Sequence, residues 1–168
     1  MAACSYCGTT ILFGGTRDGD LRFCNQECQQ KGFVAAVATK VPDTVLKEQV
    51  RKIHQGPCPK CGGSGPVDVH TSYRVWSALV LTSWSSRPHI VCRTCGVKAR
   101  LGDSVFSVVF GWWGFPWGLV MTPVQLFRNL AGLVQMNQPT APSAQLVHLI
   151  RLHIATNVIE AQQQQRRA

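Results

Sequence analysis

The sequence predicts a small α+β protein: two four-cysteine zinc modules joined by helices, an apolar helical segment, and a C-terminal amphipathic helix. Three observations carry that expectation. The eight cysteines fall into four short pairs: Cys4/Cys7, Cys24/Cys28, Cys58/Cys61 and Cys92/Cys95. No charge lies between Asp103 and Arg128, an interval of 24 residues. The closing stretch "SAQLVHLIRLHIATNVIEAQQQQ" repeats apolar residues at helical spacing.

Residues 1–41 make the first module. Cys4 and Cys7 form a CxxC followed by Gly8, the pattern of a zinc knuckle, in which glycine lets backbone N–H groups approach sulfur. "TTILFGG" and "DLRFC" read as short strands around "TRDGD", with Asp-Gly as the hairpin signal. Cys24 and Cys28 stand four residues apart. A helix starting near Asn25 brings both to its first turn, on one face, where the macrodipole favours thiolate. It runs through "QECQQKGFVAAVATK" and stops before Pro42. Residues 42–57 read as a linker helix, capped by Asp43 or Thr44 and ended by Gly56-Pro57. Val45, Leu46, Val50 and Ile53 form its apolar face.

Residues 58–103 make the second module. "CPKCGGSG" and "CRTCG" supply its four cysteines, and Gly62 and Gly96 repeat the place of Gly8. The spacing predicts two knuckles face to face, a zinc ribbon with β-hairpins. Val67 and Val69 alternate with polar residues, and 75–81 is almost continuously apolar. The uncharged interval 75–86 has 12 residues. As a helix it would reach ~18 Å, too short to cross a bilayer, so it reads as a buried strand. "RPHIVC" and "VKARLG" are further strand candidates. Residues 104–136 are the apolar helical segment, membrane-associated or core, and contain "FGWWGFPWGLVM". Residues 137–168 hold the Pro-rich linker "NQPTAPSA" and the last helix, where Leu146, Leu149, Ile150, His153 and Ile154 share a face.

The formal charge of +9 counts eight cysteines as neutral thiols. With eight thiolates on two Zn2+ the sum changes by −8 + 4, to about +5, a modest basic surface. "MAACSYCG" has neither the basic n-region nor the apolar h-region of a signal peptide, and Ala2 stands where N-myristoylation needs glycine. CxxC and CxxxC pairs in such a chain predict metal before disulfides, and a cytoplasmic protein or one on the cytoplasmic face of a membrane. Four thiolates close the zinc tetrahedron and leave no open position for catalysis, so both ions are expected to be structural. Redox use of CxxC needs a βαβ setting, and here each CxxC has a second pair to complete a metal site. GxGxxG, P-loop and HExxH patterns are absent, and the eight acidic residues form no obvious carboxylate pair. No enzyme is expected. His70 falls near the second site, and His54, His89, His148 and His153 read as surface or interhelix residues.

Residues 4–28, with "CSYCG" then "FCNQEC", resemble the YHS/TRASH type of treble-clef zinc finger. The resemblance implies a treble-clef-like fold for residues 1–41 and metal binding or protein interaction. "CPKCGGSG" matches CxxCxGxG, the repeat of the cysteine-rich region of DnaJ-type co-chaperones, in one copy where that region uses four. Residues 58–128 look like uncharacterised bacterial zinc-ribbon proteins with a GWWGxPWG apolar segment. That likeness implies a bacterial, membrane-associated protein.

Ser104–Phe127 is long enough to span a bilayer, but Trp112, Trp113 and Trp117 would sit near its middle, and Gly111, Gly114, Pro116, Gly118 and Pro123 break a straight helix. A kinked or re-entrant element with arms near 104–113 and 117–130 fits better. Phe110, Trp112, Trp113, Phe115 and Trp117 are the expected membrane or partner contacts, with core packing as the other reading. The function expected is a non-enzymatic zinc-binding adaptor or interaction module at a membrane. The alternative is a soluble zinc-ribbon module that binds a partner protein, or nucleic acid through Arg74, Arg87, Arg93, Lys98 and Arg100, with Trp76 or Trp84 as stacking platforms. The sequence leaves the oligomeric state open.

Overall fold

The computed structural model describes residues 2–134 and 141–167. It is a small α+β chain of three two-stranded antiparallel sheets and five helices among those residues. It divides into two compact units, Met1–Glu48 with Val147–Ala168, and Gln49–Leu146. Residues 137–140 of the expected linker lie outside the described residues.

In the first unit β1 (Ala2–Ala3) pairs with β2 (Thr10–Ile11), and β3 (Thr16–Asp18) with β4 (Leu21–Phe23). The hairpin is therefore tighter than "TTILFGG"/"DLRFC" suggested. Asp18 faces Leu21, and Gly19 takes φ +56 in the two-residue turn. "TTI" turns instead to the chain's first residues. α1 (Gln26–Ala38) starts where expected: Asn25 caps it, its Oδ1 accepting the Cys28 N–H at 2.8 Å. Cys4, Ile11 and Phe23 are the buried cluster, with Cys24 and Cys28 packed on it. Gly32 of α1 rests on the Phe23 ring, where a Cβ would lie 2.7 Å from the ring edge.

α2 (Asp43–His54) and α5 (Ala144–Arg167) continue from one unit into the other. Leu46 and Val50 are buried, but Val45 is exposed. Asp43 lies inside the first turn and pairs with Arg151 rather than capping. On α5, Leu146, Ile150, Ala155 and Ile159 are buried, and His153 is exposed. The inward stripe is thus rotated from the one read in sequence.

The second unit is built on a hairpin of β5 (Val67–Ala78) and β6 (Leu81–Cys92), in register from Val67↔Cys92 to Ala78↔Leu81. The interval 75–86 is therefore the end of that hairpin rather than one buried strand, with Leu79 and Val80 exposed at its turn. α3 (Arg93–Phe110) follows at once and α4 (Trp117–Val134) packs beside it. "VKARLG" is helix, not strand. Its single β-branched residue gives little strand preference, and Lys, Ala, Arg and Leu are good helix formers. α3 runs unbroken through residue 103. Residues 111–116 form the bend, so the arms are helical at 93–110 and 117–134. Among the described residues, no helix is long and apolar enough to cross a membrane.

The apolar core of this unit is small and lies at its cysteine end: Cys58, Val67, Val91 and Cys95, with Ile53, Ile90 and Cys92 against them. Away from that end Val75 is fully buried, and most other buried positions are polar or glycine. The buried positions of α4 are Gly118, Thr122, Gln125 and Asn129, and those of α3 beyond the cysteines are Asp103 and Ser107.

Candidate metal centres and the apolar end

The four sulfurs of Cys4, Cys7, Cys24 and Cys28 lie within 4.8 Å of one another, and so do those of Cys58, Cys61, Cys92 and Cys95. In the first cluster Cys24 Sγ is 3.2 Å from Cys28 Sγ, 3.5 Å from Cys7 Sγ and 3.6 Å from Cys4 Sγ. In the second, Cys61 and Cys92 are 3.7 Å apart. The edge of a sulfur tetrahedron around zinc, with Zn–S ~2.3 Å, is about 3.7 Å. The donor set and its spacing fit a four-thiolate metal ion at both places.

Each cluster combines a knuckle with a helix start. Gly8 N–H donates to the Cys4 carbonyl at 2.9 Å, and Gly62 N–H to the Cys58 carbonyl at 2.8 Å. Both glycines adopt positive φ, +72 and +68, which closes the CxxC turn. The other pair flanks a helix N-terminus in each case: Cys24 precedes the Asn25 cap of α1, and Cys92 is itself the cap of α3. The expectation of two facing knuckles in the second module is therefore corrected. Gly96 is not a knuckle glycine. It sits in the first turns of α3, where a Cβ would lie 2.6 Å from the His70 ring.

The local field separates the thiols. In the first cluster the backbone N–H of Cys7, with those of Tyr6 and Cys24, brings Cys4 down to about 6 against the desolvation of the site. Cys24 donates its thiol proton toward Cys28 and Cys4 and shares one with Cys7, which holds it protonated and pushes it up to about 12. In the second, burial raises Cys58, but the N–H groups of Cys92, Lys60 and Cys61 outweigh it and leave it at about 6. Burial and its three sulfur neighbours push Cys95 up to about 12. Cys4 and Cys58 are therefore the thiols held lowest, and Cys7 is lowered too by the Thr9 hydroxyl and N–H beside it.

The histidines are not ligands. His54 is buried and pairs through Nδ1 with the Val67 carbonyl at 2.9 Å, so it sits against a strand rather than at the surface or between helices. His89 Nε2 meets Ser72 Oγ at 3.1 Å.

The GWWGFPWG stretch joins α3 to α4, and its glycines are set by close approach. A Cβ on Gly114 would lie 2.6 Å from Thr82 Oγ1, and one on Gly118 2.6 Å from the Gly111 carbonyl oxygen. The aromatics point the other way. Phe110, Trp112, Trp113, Phe115 and Trp117 are all exposed, Trp113 at 71% and Phe115 at 75%. They are not core. Sequence reasoning missed their neighbours. Leu79, Val80 and Leu81 are exposed as well, and the Phe115 N–H bonds the Leu79 carbonyl at 3.0 Å. The outer faces of both helices are also apolar, from Leu101 and Val105 to Phe127 and Leu130.

The polar interior completes β5, which pairs only with β6. Asn129 accepts the Tyr73 N–H at 2.9 Å and donates to its carbonyl at 2.8 Å. Ser107 Oγ accepts the Val75 N–H at 3.1 Å, and Arg100 Nε donates to the Thr71 carbonyl at 2.9 Å. Asp103 accepts from Ser72 Oγ at 2.6 Å and pairs with Arg74 Nε at 3.0 Å. Arg74 also lies 3.8 Å over the Phe106 ring. Two of the five cations considered for nucleic acid, Arg74 and Arg100, are thereby committed inside the unit. Arg87, Arg93 and Lys98 are exposed.

No family model, curated protein or solved structure matches this chain.

Proposed function

We propose that the chain is a non-enzymatic interaction module in which both four-cysteine clusters hold structural zinc and residues 104–127 hold the protein to a membrane surface, on its cytoplasmic side. The knuckle-plus-helix plan of the clusters supports closed sites, treble-clef-like in the first module. Four thiolates satisfy the ion and leave no place for substrate. The ions stiffen two units whose own apolar clusters are small.

The observation that carries the membrane reading is the inverted polarity of the α3–α4 pair. Its buried seam is glycine, Ser107, Thr122, Gln125 and Asn129, and its outer face is Val, Leu, Phe and Trp. Polar side chains turned onto the β5 backbone and glycines at the helix–helix approach, with apolar residues outside, suit lipid as the surrounding solvent. Fractionation of the native-level protein tests it, with a high-salt wash followed by alkaline carbonate. Retention in the pellet through carbonate is the expected result. Recovery in the supernatant before any wash would overturn the reading.

A second reading has one observation in its favour. Trp76 and Trp84 are exposed on the β5–β6 hairpin, whose β6 also carries exposed Arg87. Salt-dependent binding of single-stranded nucleic acid, lost in Trp84→Ala, would support it.

A further inference from the structure

We infer that the second unit is a single-leaflet anchor in which the β5–β6 turn enters the bilayer together with the α3–α4 bend. The inference rests on the membrane reading above and adds to it a second inserting element, a depth and a boundary.

Two uncharged intervals of the chain, 75–86 and 104–127, meet at one end of this unit. Leu79 bridges to Gly114, and the Phe115 N–H bonds the Leu79 carbonyl. That end presents Leu79, Val80, Leu81, Trp113, Phe115 and Trp117, all exposed. Leu79 takes φ +53, where asparagine or glycine is the ordinary residue. A bulky apolar side chain kept in a strained turn with 83% of its surface in solvent contributes little to folding. Burial in lipid gives it a purpose.

The first charge met on leaving the tip is Arg74 on β5, Arg87 on β6, Asp103 on α3 and Arg128 on α4. They stand at one level. Arg74 pairs with Asp103, Arg128 lies 5.6 Å from the Tyr73 ring, and Arg87 faces Ser72, which donates to Asp103. Arg74 and Asp103 neutralise each other in this collar, and the exposed Arg87 and Arg128 remain to meet anionic headgroups. Its distance from the tip is about 16 Å along β5, at ~3.3 Å per residue over the five steps from Arg74 to Leu79. Along α4, the eleven steps from Trp117 to Arg128 give about 16 Å at ~1.5 Å each. Half of a hydrocarbon core ~30 Å thick is the same length. Trp76 and Trp84 stand two and three residues from Arg74 and Arg87, at the headgroup level where Trp is favoured. Deeper in, Trp113 has its indole N–H bonded to the Val109 carbonyl at 2.8 Å, so that donor does not need water.

The test uses the full, zinc-loaded chain and vesicles of phosphatidylcholine with phosphatidylglycerol. Flotation reads binding, and a photo-crosslinking benzoylphenylalanine reads position, placed at Val80 in one variant and at Ser86 in another. Attachment of position 80 to acyl carbons, with position 86 reaching only headgroups, is the result expected. Leu79→Asn with Val80→Ser relieves the turn, and should weaken partitioning by about tenfold or more without lowering the melting temperature. Flotation with no lipid attachment at position 80, or attachment there to a second copy of the chain, overturns the co-insertion and leaves the membrane reading intact. Failure of the unaltered protein to float removes both.

Discussion

At the scale of the residue, a few side chains carry the account. Cys24→Ser and Cys58→Ser should each lower the metal content by one ion of two, read as a mass loss in native mass spectrometry, because each removes one of four sulfurs from a different cluster. Asn129→Ala leaves the Tyr73 N–H and carbonyl without their partner, and should cost about 1–3 kcal/mol in denaturant titration. Gly118→Ala drives a Cβ to 2.6 Å from a backbone oxygen and should cost about 1–3 kcal/mol. His70 is held below its ordinary 6.5, first by burial and then by Arg100. The folded state therefore binds fewer protons there than the unfolded chain. Its stabilisation is complete above pH 6.5 and is lost as pH falls through the lower folded value. With zinc in excess, His70→Gln should flatten the fall in stability of the second unit below pH 6.5. An unchanged slope would assign that fall to other groups.

At the scale of the element, the two sulfur clusters were legible and the architecture around them less so. Cysteine spacing alone grouped the eight sulfurs correctly, since CxxC and CxxxC each leave few ways to close a tetrahedron. The start of α1 was legible too, because Asn25 is a strong cap three residues before Cys28. α3 was not. Its first turns, "RTCGVKARLG", carry two glycines and the second cysteine of a CxxC, a composition that mimics a knuckle followed by a strand. Gly96 answers to the His70 ring, a tertiary contact that no local pattern encodes. The hairpin turn was hidden for a related reason. Leu79-Val80 has none of the Asn, Asp or Gly that signals a two-residue turn, so 75–86 read as one strand. Apolar content foretold an apolar segment at 104–127, but only the packing shows which way it faces. Asp103→Ala would test that polar seam. It strands Arg74 and removes the Ser72 acceptor, and should cost about 3 kcal/mol or more in the second unit. Loss of less than about 1 kcal/mol would mean that the seam does not organise the α3–β5 contact.

At the scale of the whole molecule, two small units each draw order from a four-sulfur cluster. The apolar cluster beside the sulfurs is short in each, Cys4, Ile11 and Phe23 in one and Cys58, Val67, Val91 and Cys95 in the other, while Leu46, Ile150, Ala155 and Ile159 on the helices of the first unit are buried apart from it. Chelation should therefore unfold the cysteine-bearing part of the first unit and loosen the cysteine end of the second, seen as loss of amide-exchange protection in 2–38 and 58–67. The measurement closest to the central claim is zinc K-edge X-ray absorption on the purified protein, with metal quantified on the same sample. Two zinc ions per chain are expected, each with four sulfurs at ~2.3 Å and no nitrogen or oxygen ligand. A single zinc, or a shell that includes water or carboxylate, would contradict it and reopen the question of catalysis.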